Sequence, residues 1–283
     1  MTTQILKEEA AYNHYAHFAK YLILVNRDNP VNTDYVEKNF HLVESQIEGM
    51  PSVVLDRLAN VYLEQLMNEM RGRSYRPVLA SGFRTFEDQT QLYEQSLVSK
   101  GKEYTEAHVA PAGFSAHQLG TDIDINPYQI NFGVLQPAVD GIKRVTTKAM
   151  HMVNLSTPKD NFYEVLGIYA PHYGFILRYP EGKTTQTGYA PERWHLSFVG
   201  PFAPLFYMNE HGMPSETPTI TMEEFSDFIC EELNMTSLYD EDKAEKIGRY
   251  FADNPMQEIA KKIIMHSKRQ AEKTAAENSS QLQ

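Results

Sequence analysis

Two short segments of the sequence contain residue types that can bind a metal ion and transfer protons. The first, SAHQLGTDID, runs from residue 115 to residue 124 and places His117 ahead of two aspartates. The second, ERWH, places Glu192 three residues before His195. A hydrolytic zinc ion needs three ligands of the His, Asp or Glu type, an open position for water and a nearby base. The two segments together offer such a set.

The elements that must position these side chains can be predicted around them. Residues 121–126 alternate between polar and apolar types, which predicts a strand, and Gly120 allows a sharp turn between this strand and His117. Further strands are predicted over residues 21–25, 76–81, 174–179 and 193–199. Helices are predicted over residues 4–20, 51–71, 86–98 (capped by Thr85), 162–172, 221–233 and 241–266, and loops over 99–114, 127–158 and 181–191.

Helices and strands are mixed in this order without a regular β-α-β rhythm. We therefore expect an α+β fold with a small antiparallel sheet flanked by helices, followed by a C-terminal helical extension. The composition changes after Pro201. This change predicts a catalytic domain over residues 1–205, including the N-terminal helix, a helical extension over 206–270 and a disordered tail over 271–283.

Composition excludes several classes of function. The 283 residues have a net charge of -11, and such an acidic surface repels nucleic acid and anionic membranes. The single cysteine, Cys230, excludes an intrachain disulfide and a cysteine-based metal cluster. The N-terminal residues do not contain the apolar segment that is typical of a signal peptide, and no run of about 18 apolar residues occurs. We therefore expect no signal peptide and no membrane-spanning segment in this sequence.

The two metal-binding segments also match a known pattern, S-x-H-x-x-G-x-A-x-D followed later by E-x-W-H. Other stretches agree with the same family: SGFRTFEDQ at 81–89, YGFILRYPEG at 173–182 and TGY at 187–189. Over roughly residues 20–200 the chain resembles the D-alanyl-D-alanine carboxypeptidase family, which comprises VanY-like zinc peptidases of peptidase family M15. The order of the motifs makes this resemblance specific, whereas a lone His and Asp at this spacing would be weak evidence.

The resemblance implies roles for individual residues. His117, Asp124 and His195 would bind one Zn²⁺ ion. Glu192 would act as the general base, since a carboxylate can take a proton from water and pass it to the leaving amine. Arg84 would stabilise the oxyanion that develops on the scissile carbonyl, because a guanidinium offers two parallel donors.

Other residues have weaker assignments. By the same resemblance, Ser115 and Gln89 would hold the C-terminal part of the substrate, although Ser115 is equally suited to capping its loop. Tyr189 and Trp194 are candidates for substrate contacts, with core packing as the alternative. The remaining histidines without a partner pattern are interpreted as ordinary: His108, His151, His172 and His211.

The chain departs from the pattern at Asp122, where the family usually has Ala. Because residues two apart in a strand point to the same face, Asp122 and Asp124 lie on one side. Asp122 could therefore orient a metal ligand by hydrogen bonding, compete for the metal, or face solvent at an edge. The register of the motif favours Asp124 as the ligand.

These observations favour a zinc carboxypeptidase that hydrolyses the terminal D-Ala-D-Ala bond of peptidoglycan stem peptides or their precursors. The same zinc site would also suit an L,D-carboxypeptidase, a D,D-dipeptidase or an endolysin-type endopeptidase. A non-catalytic wall-binding module is a further alternative, but it would not need Glu192 and Arg84. The resemblance implies an extracytoplasmic site of action, although no export segment is visible.

Overall fold

A computed structural model describes residues 2–127 and 161–281, so nearly all of the predicted loop over 127–158 lies outside the described residues. In the described part, one antiparallel sheet has the strand order β3-β4-β6-β5, and a smaller antiparallel sheet pairs β1 with β2. The strands are β1 Leu42–Glu44, β2 Val54–Asp56, β3 Pro77–Ser81, β4 Asp122–Pro127, β5 Phe175–Tyr179 and β6 Glu192–Phe198.

Helices surround these sheets. They are α1 Thr2–Phe18, α2 Thr33–Asn39, α3 Arg57–Gly72, α4 Phe86–Lys100, α5 Lys102–His108, α6 Phe162–Tyr169, α7 Thr184–Thr187, α8 Ala203–Phe206, α9 Met222–Glu232, α10 Lys243–Asp253 and α11 Met256–Gln281. Short 3₁₀ helices occupy Ala19–Tyr21, Ala116–Leu119, Ala170–Tyr173 and Gly200–Phe202. The predicted α+β class is confirmed.

The alternation of β4 separates the core from the face that carries polar side chains. Ile123 and Ile125 are fully buried in the hydrophobic core. Because neighbouring residues of a strand point to opposite faces, Asp122 and Asp124 project from the other face. The predicted strand at 121–126 therefore has the predicted register, and it directs two carboxylates to one side of the sheet.

The prediction of a strand over residues 21–25 is wrong. Tyr21 ends a 3₁₀ helix, and residues 22–25 are buried without regular secondary structure. The backbone of this stretch is satisfied by distant side chains: the Arg178 guanidinium donates to the carbonyl of Val25, and Lys243 Nζ donates to that of Leu22. An apolar run can thus be buried without a strand partner, which its pattern alone does not reveal.

Three other boundaries differ from the predictions. Helix α3 begins at Arg57 rather than near Pro51, because the Asp56 carboxylate accepts hydrogen bonds from the amides of Leu58 and Ala59. Residues 102–108, predicted as loop, form α5. The helix predicted over 241–266 is divided into α10 and α11 by Pro255, which cannot donate a backbone hydrogen bond.

Charged side chains connect the C-terminal helices to the four-stranded sheet and to the loop that follows β5. Glu223 of α9 accepts two hydrogen bonds from the buried Arg178 of β5. The neighbouring Glu224 pairs with Lys183 just before α7. Helix α11 continues to Gln281. The division into domains with a C-terminal tail over 271–283 stays a prediction. Among the described helices, none combines the length and apolar character required to cross a bilayer.

Candidate metal centre

His117 is held by the turn that precedes β4. It lies in the 3₁₀ helix Ala116–Leu119, and its Nδ1 is 2.7 Å from the carbonyl oxygen of Gly82. The carbonyl can only accept a hydrogen bond, so Nδ1 carries the proton and the lone pair is on Nε2. Gly120 then turns the chain into β4 with φ of +79°, and a side chain there would collide with Leu42. The predicted need for glycine at this position is confirmed.

The pairing of β4 with β6 places Asp124 directly opposite His195. In a regular strand Glu192 and His195, three residues apart, would point to opposite faces. The pairing of β6 with β5 is irregular at this point: the three residues of β5 from Leu177 to Tyr179 span the same stretch as the five residues of β6 from Glu192 to Leu196. Such a bulge re-aims side chains. It turns Glu192 towards His195, whose Nδ1 is 3.2 Å from the Glu192 carboxylate.

These elements bring together the three predicted metal ligands. One ligand atom each of His117, Asp124 and His195 lies within 4.8 Å of the others. Asp124 Oδ1 is 3.4 Å from His117 Nε2 and 3.6 Å from His195 Nδ1. Both Asp124 Oδ1 and His117 Nε2 are buried, and neither has a hydrogen-bond partner among the described residues. Because unsatisfied buried polar atoms are costly, their convergence fits a bound cation.

The pKa values of the two imidazoles in the cluster are shifted in opposite directions. Burial lowers the pKa of His117, and Arg84 and His195 add to this effect against the opposing influence of Asp124. Burial also disfavours the charged form of His195, but its hydrogen bonds to Asp122 and Glu192 raise its pKa to about 9. Burial would raise the pKa of Asp124, yet the two histidines and Arg84 together lower it. The centre therefore keeps Asp124 as an anionic ligand, which suits a metal ion.

Arg84 lies beside this centre in a fixed orientation. Its Nε donates to Ser81 Oγ, one terminal nitrogen donates to Gln89 Oε1, and the other is 3.2 Å from Asp124 Oδ2. Gln89 is buried, and its Nε2 donates to the carbonyl of Ala110. The amide of Gln89 thus supports Arg84 in this structure. Its predicted contact with the substrate stays a prediction.

The three predicted metal ligands line a cavity of about 90 Å³. Ser115, Tyr189 and Trp194, proposed as substrate contacts, all line it, together with Arg84, Gln89 and Glu192. Tyr189 is almost fully buried, and its hydroxyl has no hydrogen-bond partner among the described residues. The structure therefore brings every predicted site residue to one cavity. Their contacts with substrate remain predictions.

Five lining residues were not among the predicted site residues: Leu92, His108, Val109, Ala110 and Tyr179. His108, interpreted as ordinary, lines the cavity, with Nδ1 2.9 Å from the carbonyl oxygen of Tyr104. It belongs to α5, in a stretch predicted as loop, so no periodicity could indicate its direction. Tyr179 also lines the cavity, and its ring meets that of His195 edge-on at 4.9 Å. Its position at the end of β5 next to the bulge was not predictable from residue type.

Asp122 does not join the three ligands. Its carboxylate is buried and lies 3.0 Å from His195 Nε2, on the side of the imidazole away from Asp124. Of the three roles open to Asp122 at the sequence level, the contact agrees with orientation of a ligand. A solvent-exposed role is wrong, because only 1% of this residue is exposed.

Comparison with known proteins agrees with these features. The family described as "VanY: D-alanyl-D-alanine carboxypeptidase" matches residues 52–201, more than half of the chain. A D-alanyl-D-alanine carboxypeptidase of Enterococcus faecalis is 31% identical over 189 residues, which cover 63% of this chain and 58% of that protein. The chain thus matches little more than half of this relative's length.

Two further relatives carry a related activity in their names. The bifunctional D-Ala-D-Ala dipeptidase and D-Ala-D-Ala carboxypeptidase VanXYC of Enterococcus gallinarum is 31% identical, over 54% of this chain and 67% of that protein. Among solved structures, the vancomycin-resistance D,D-dipeptidase VanXYg, in complex with a D-Ala-D-Ala phosphinate analogue, superimposes with a TM-score of 0.56 and 27% identity. The match covers 75% of this chain and 72% of that chain.

Proposed function

Because the chain belongs to the VanY-type D-alanyl-D-alanine carboxypeptidase family, we propose that it is a zinc-dependent carboxypeptidase that removes the terminal D-Ala from peptidoglycan stem peptides. The observation that carries this proposal is the convergence of His117 Nε2, Asp124 Oδ1 and His195 Nδ1 in one cavity. Two of these atoms are buried without a hydrogen-bond partner among the described residues. The donor set, two imidazoles and a carboxylate, is typical of catalytic zinc, which retains an open position.

In this proposal zinc, Glu192 and Arg84 have separate roles in the reaction. When bound, zinc polarises the scissile carbonyl and lowers the pKa of water to about 7. Glu192 faces the same cavity and can take a proton from the attacking water, then deliver it to the leaving amine. Arg84, oriented by Ser81 and Gln89, can donate to the oxyanion as negative charge develops on the carbonyl. No acyl-enzyme is required, since water is the nucleophile.

The size of the cavity agrees with a small C-terminal residue. The cavity of about 90 Å³ is lined by the predicted ligands and by Leu92, Val109 and Ala110, among other residues. A cavity of this size suits a small side chain such as a methyl group. The stem peptide as substrate also implies a site of action outside the cytoplasmic membrane.

The test combines metal analysis with a peptide assay on the purified full chain. We expect one zinc ion per chain and release of D-Ala from a pentapeptide stem. E192A should lower the rate by about 100- to 10,000-fold, the usual contribution of general acid–base catalysis, while zinc remains bound. E181A is the matched control, because Glu181 is an exposed carboxylate near the same strand; it should keep the parent rate.

The results can contradict the proposal at two levels. A full rate in E192A would show that Glu192 is not the base. A protein that retains no zinc and releases no D-Ala would refute the assignment as a zinc carboxypeptidase.

A second activity, D,D-dipeptidase, is favoured by one observation. The superimposed structure with a TM-score of 0.56 is that of a D,D-dipeptidase. A parallel assay with free D-Ala-D-Ala distinguishes the two activities. A carboxypeptidase prefers the pentapeptide, whereas a dipeptidase prefers the free dipeptide. Cleavage of a tetrapeptide stem would instead indicate the L,D-carboxypeptidase alternative.

A further inference from the structure

The two histidines of the metal centre are supported by different groups. His117 Nδ1 faces the neutral carbonyl oxygen of Gly82, at 2.7 Å. His195 Nε2 faces the carboxylate of Asp122, at 3.0 Å. The second histidine therefore has an anionic partner, whereas the first has a neutral one.

The hydrogen bonds of Asp122 define its role more closely. Its Oδ1 accepts from Ser197 Oγ in addition to His195, and its Oδ2 is 2.9 Å from Thr121 Oγ1. Both carboxylate oxygens are therefore occupied by protein donors. The side chain is buried, with 1% exposed. Such an anion is held in one orientation and is not available to bind the metal itself.

This arrangement determines which nitrogen of His195 can bind an ion. A neutral imidazole has one N–H and one lone pair, and either nitrogen can carry the proton. A carboxylate can only accept a hydrogen bond, and carboxylates lie against both nitrogens, Asp122 at Nε2 and Glu192 at Nδ1. Both nitrogens can therefore carry a proton while no ion is bound. When an ion takes the place of the proton on Nδ1, which lies 3.6 Å from Asp124 Oδ1, Asp122 retains the proton on Nε2. The negative charge also makes the imidazole a stronger donor to a metal.

We propose that Asp122 is a positioning residue of the metal centre, which fixes the tautomer and the ring orientation of His195 and strengthens its bond to zinc. The proposal rests on the proposed function, because it requires that His117, Asp124 and His195 bind the ion. Asp122 is not among the residues that line the cavity. Its effect is transmitted through one imidazole.

The test measures binding of Zn²⁺ alone to the purified full chain, by competition with a chromophoric chelator. D122A should weaken zinc binding by about 10- to 100-fold, the usual effect of losing such a partner. D122N should weaken it less than D122A, since an amide oxygen can still accept the N–H of His195 but adds no charge. The matched control is D253A, the same substitution at an exposed aspartate at the end of α10, which should keep the parent affinity.

A purely structural role for Asp122 predicts a different outcome. The metal-free variants would then unfold more easily, while each folded molecule would bind zinc with the parent affinity. The visible spectrum of the Co²⁺-substituted protein provides an independent check, because it reports the geometry of the ligands. We expect D122A to change this spectrum and D253A to preserve it. Unchanged affinity together with an unchanged spectrum in D122A would overturn the proposal.

Two further outcomes are decisive. If D122A does not fold, D122N decides, and parent affinity with the parent spectrum in that variant would overturn the proposal. If the parent chain itself binds no zinc, the proposed function fails, and the role of Asp122 fails with it. Zinc binding by the parent with unaffected variants refutes only the role of Asp122.

Discussion

Two clusters of buried charged side chains lie on the four-stranded sheet or against it. They differ in how many of their polar atoms have hydrogen-bond partners. Arg178 and Glu223 form a two-point pair, and the Arg178 guanidinium also donates to the carbonyl of Val25. In the metal centre, Asp124 Oδ1 and His117 Nε2 lack hydrogen-bond partners among the described residues. Both clusters contain buried polar atoms. Those of the Arg178–Glu223 pair have hydrogen-bond partners, whereas the two atoms named in the metal centre do not.

This difference distinguishes structural from functional charge. A saturated buried pair can connect two elements, here β5 and α9, but it has no atoms available for a ligand. A cluster with unsatisfied atoms costs stability unless something binds there. The comparison implies that changes to the first cluster affect folding, whereas changes to the second affect metal binding and catalysis.

The largest expected effect is that of H117A. Loss of this ligand should abolish stoichiometric zinc binding and lower D-Ala release at least about 1,000-fold, because the metal contributes several kcal/mol to transition-state stabilisation. The free energy of unfolding of the metal-free protein should not fall by a comparable amount, since an unsatisfied buried nitrogen is removed. Metal analysis, the peptide assay and urea denaturation measure the three quantities. H172A, a change in an exposed histidine, is the control, and zinc binding by H117A would contradict the assignment.

The converse effect is expected for E223Q. Removing one charge of the Arg178–Glu223 pair leaves a buried guanidinium without its anion, so the free energy of unfolding should fall by about 3–5 kcal/mol. Zinc affinity per folded molecule should remain at the parent value. E245Q, which breaks an exposed pair with Arg249, should cost about 0.5 kcal/mol or less. Equal losses of stability in the two variants, measured in urea, would remove the distinction between buried and exposed pairs.

A smaller effect of pH should be visible in the metal-free protein. The pKa of His195 is raised from its ordinary 6.5 to about 9 in the folded state. Its charged form therefore stabilises the fold fully below pH 6.5, and this contribution is lost as the pH rises through about 9. We expect the stability difference between the metal-free parent and H195A to decline over this window, by about 1.4 kcal/mol per unit of pKa shift. A difference that is constant from pH 6 to 9.5 would contradict the expectation.

The sequence predicts the strands of the catalytic sheet and the ligands better than it predicts their surroundings. Alternation around Asp124 and the motif around His195 are local signals, and both are confirmed in position. The stretch over residues 21–25 was misassigned because its backbone partners, Arg178 and Lys243, lie more than a hundred residues away in sequence. Local patterns contain no information about such partners.

The surroundings of the site show the same limit. The approach of Asp122 to His195 Nε2 depends on how β4 and β6 are paired, and the position of His108 depends on α5, which no pattern indicated. Hydrogen bonds between separate strands follow from register, and register is fixed by the whole sheet. Residue types identify candidates for the site. Three-dimensional contacts are needed to tell which candidates could bind the metal and which hold a ligand in position.

The irregular pairing of β6 also restricts how this stretch can evolve. Five residues, from Glu192 to Leu196, are matched by only three of β5. Substitutions at Arg193 can be tolerated because its side chain is exposed. A change in the number of residues between Glu192 and His195 would alter the irregular pairing that directs Glu192 towards His195.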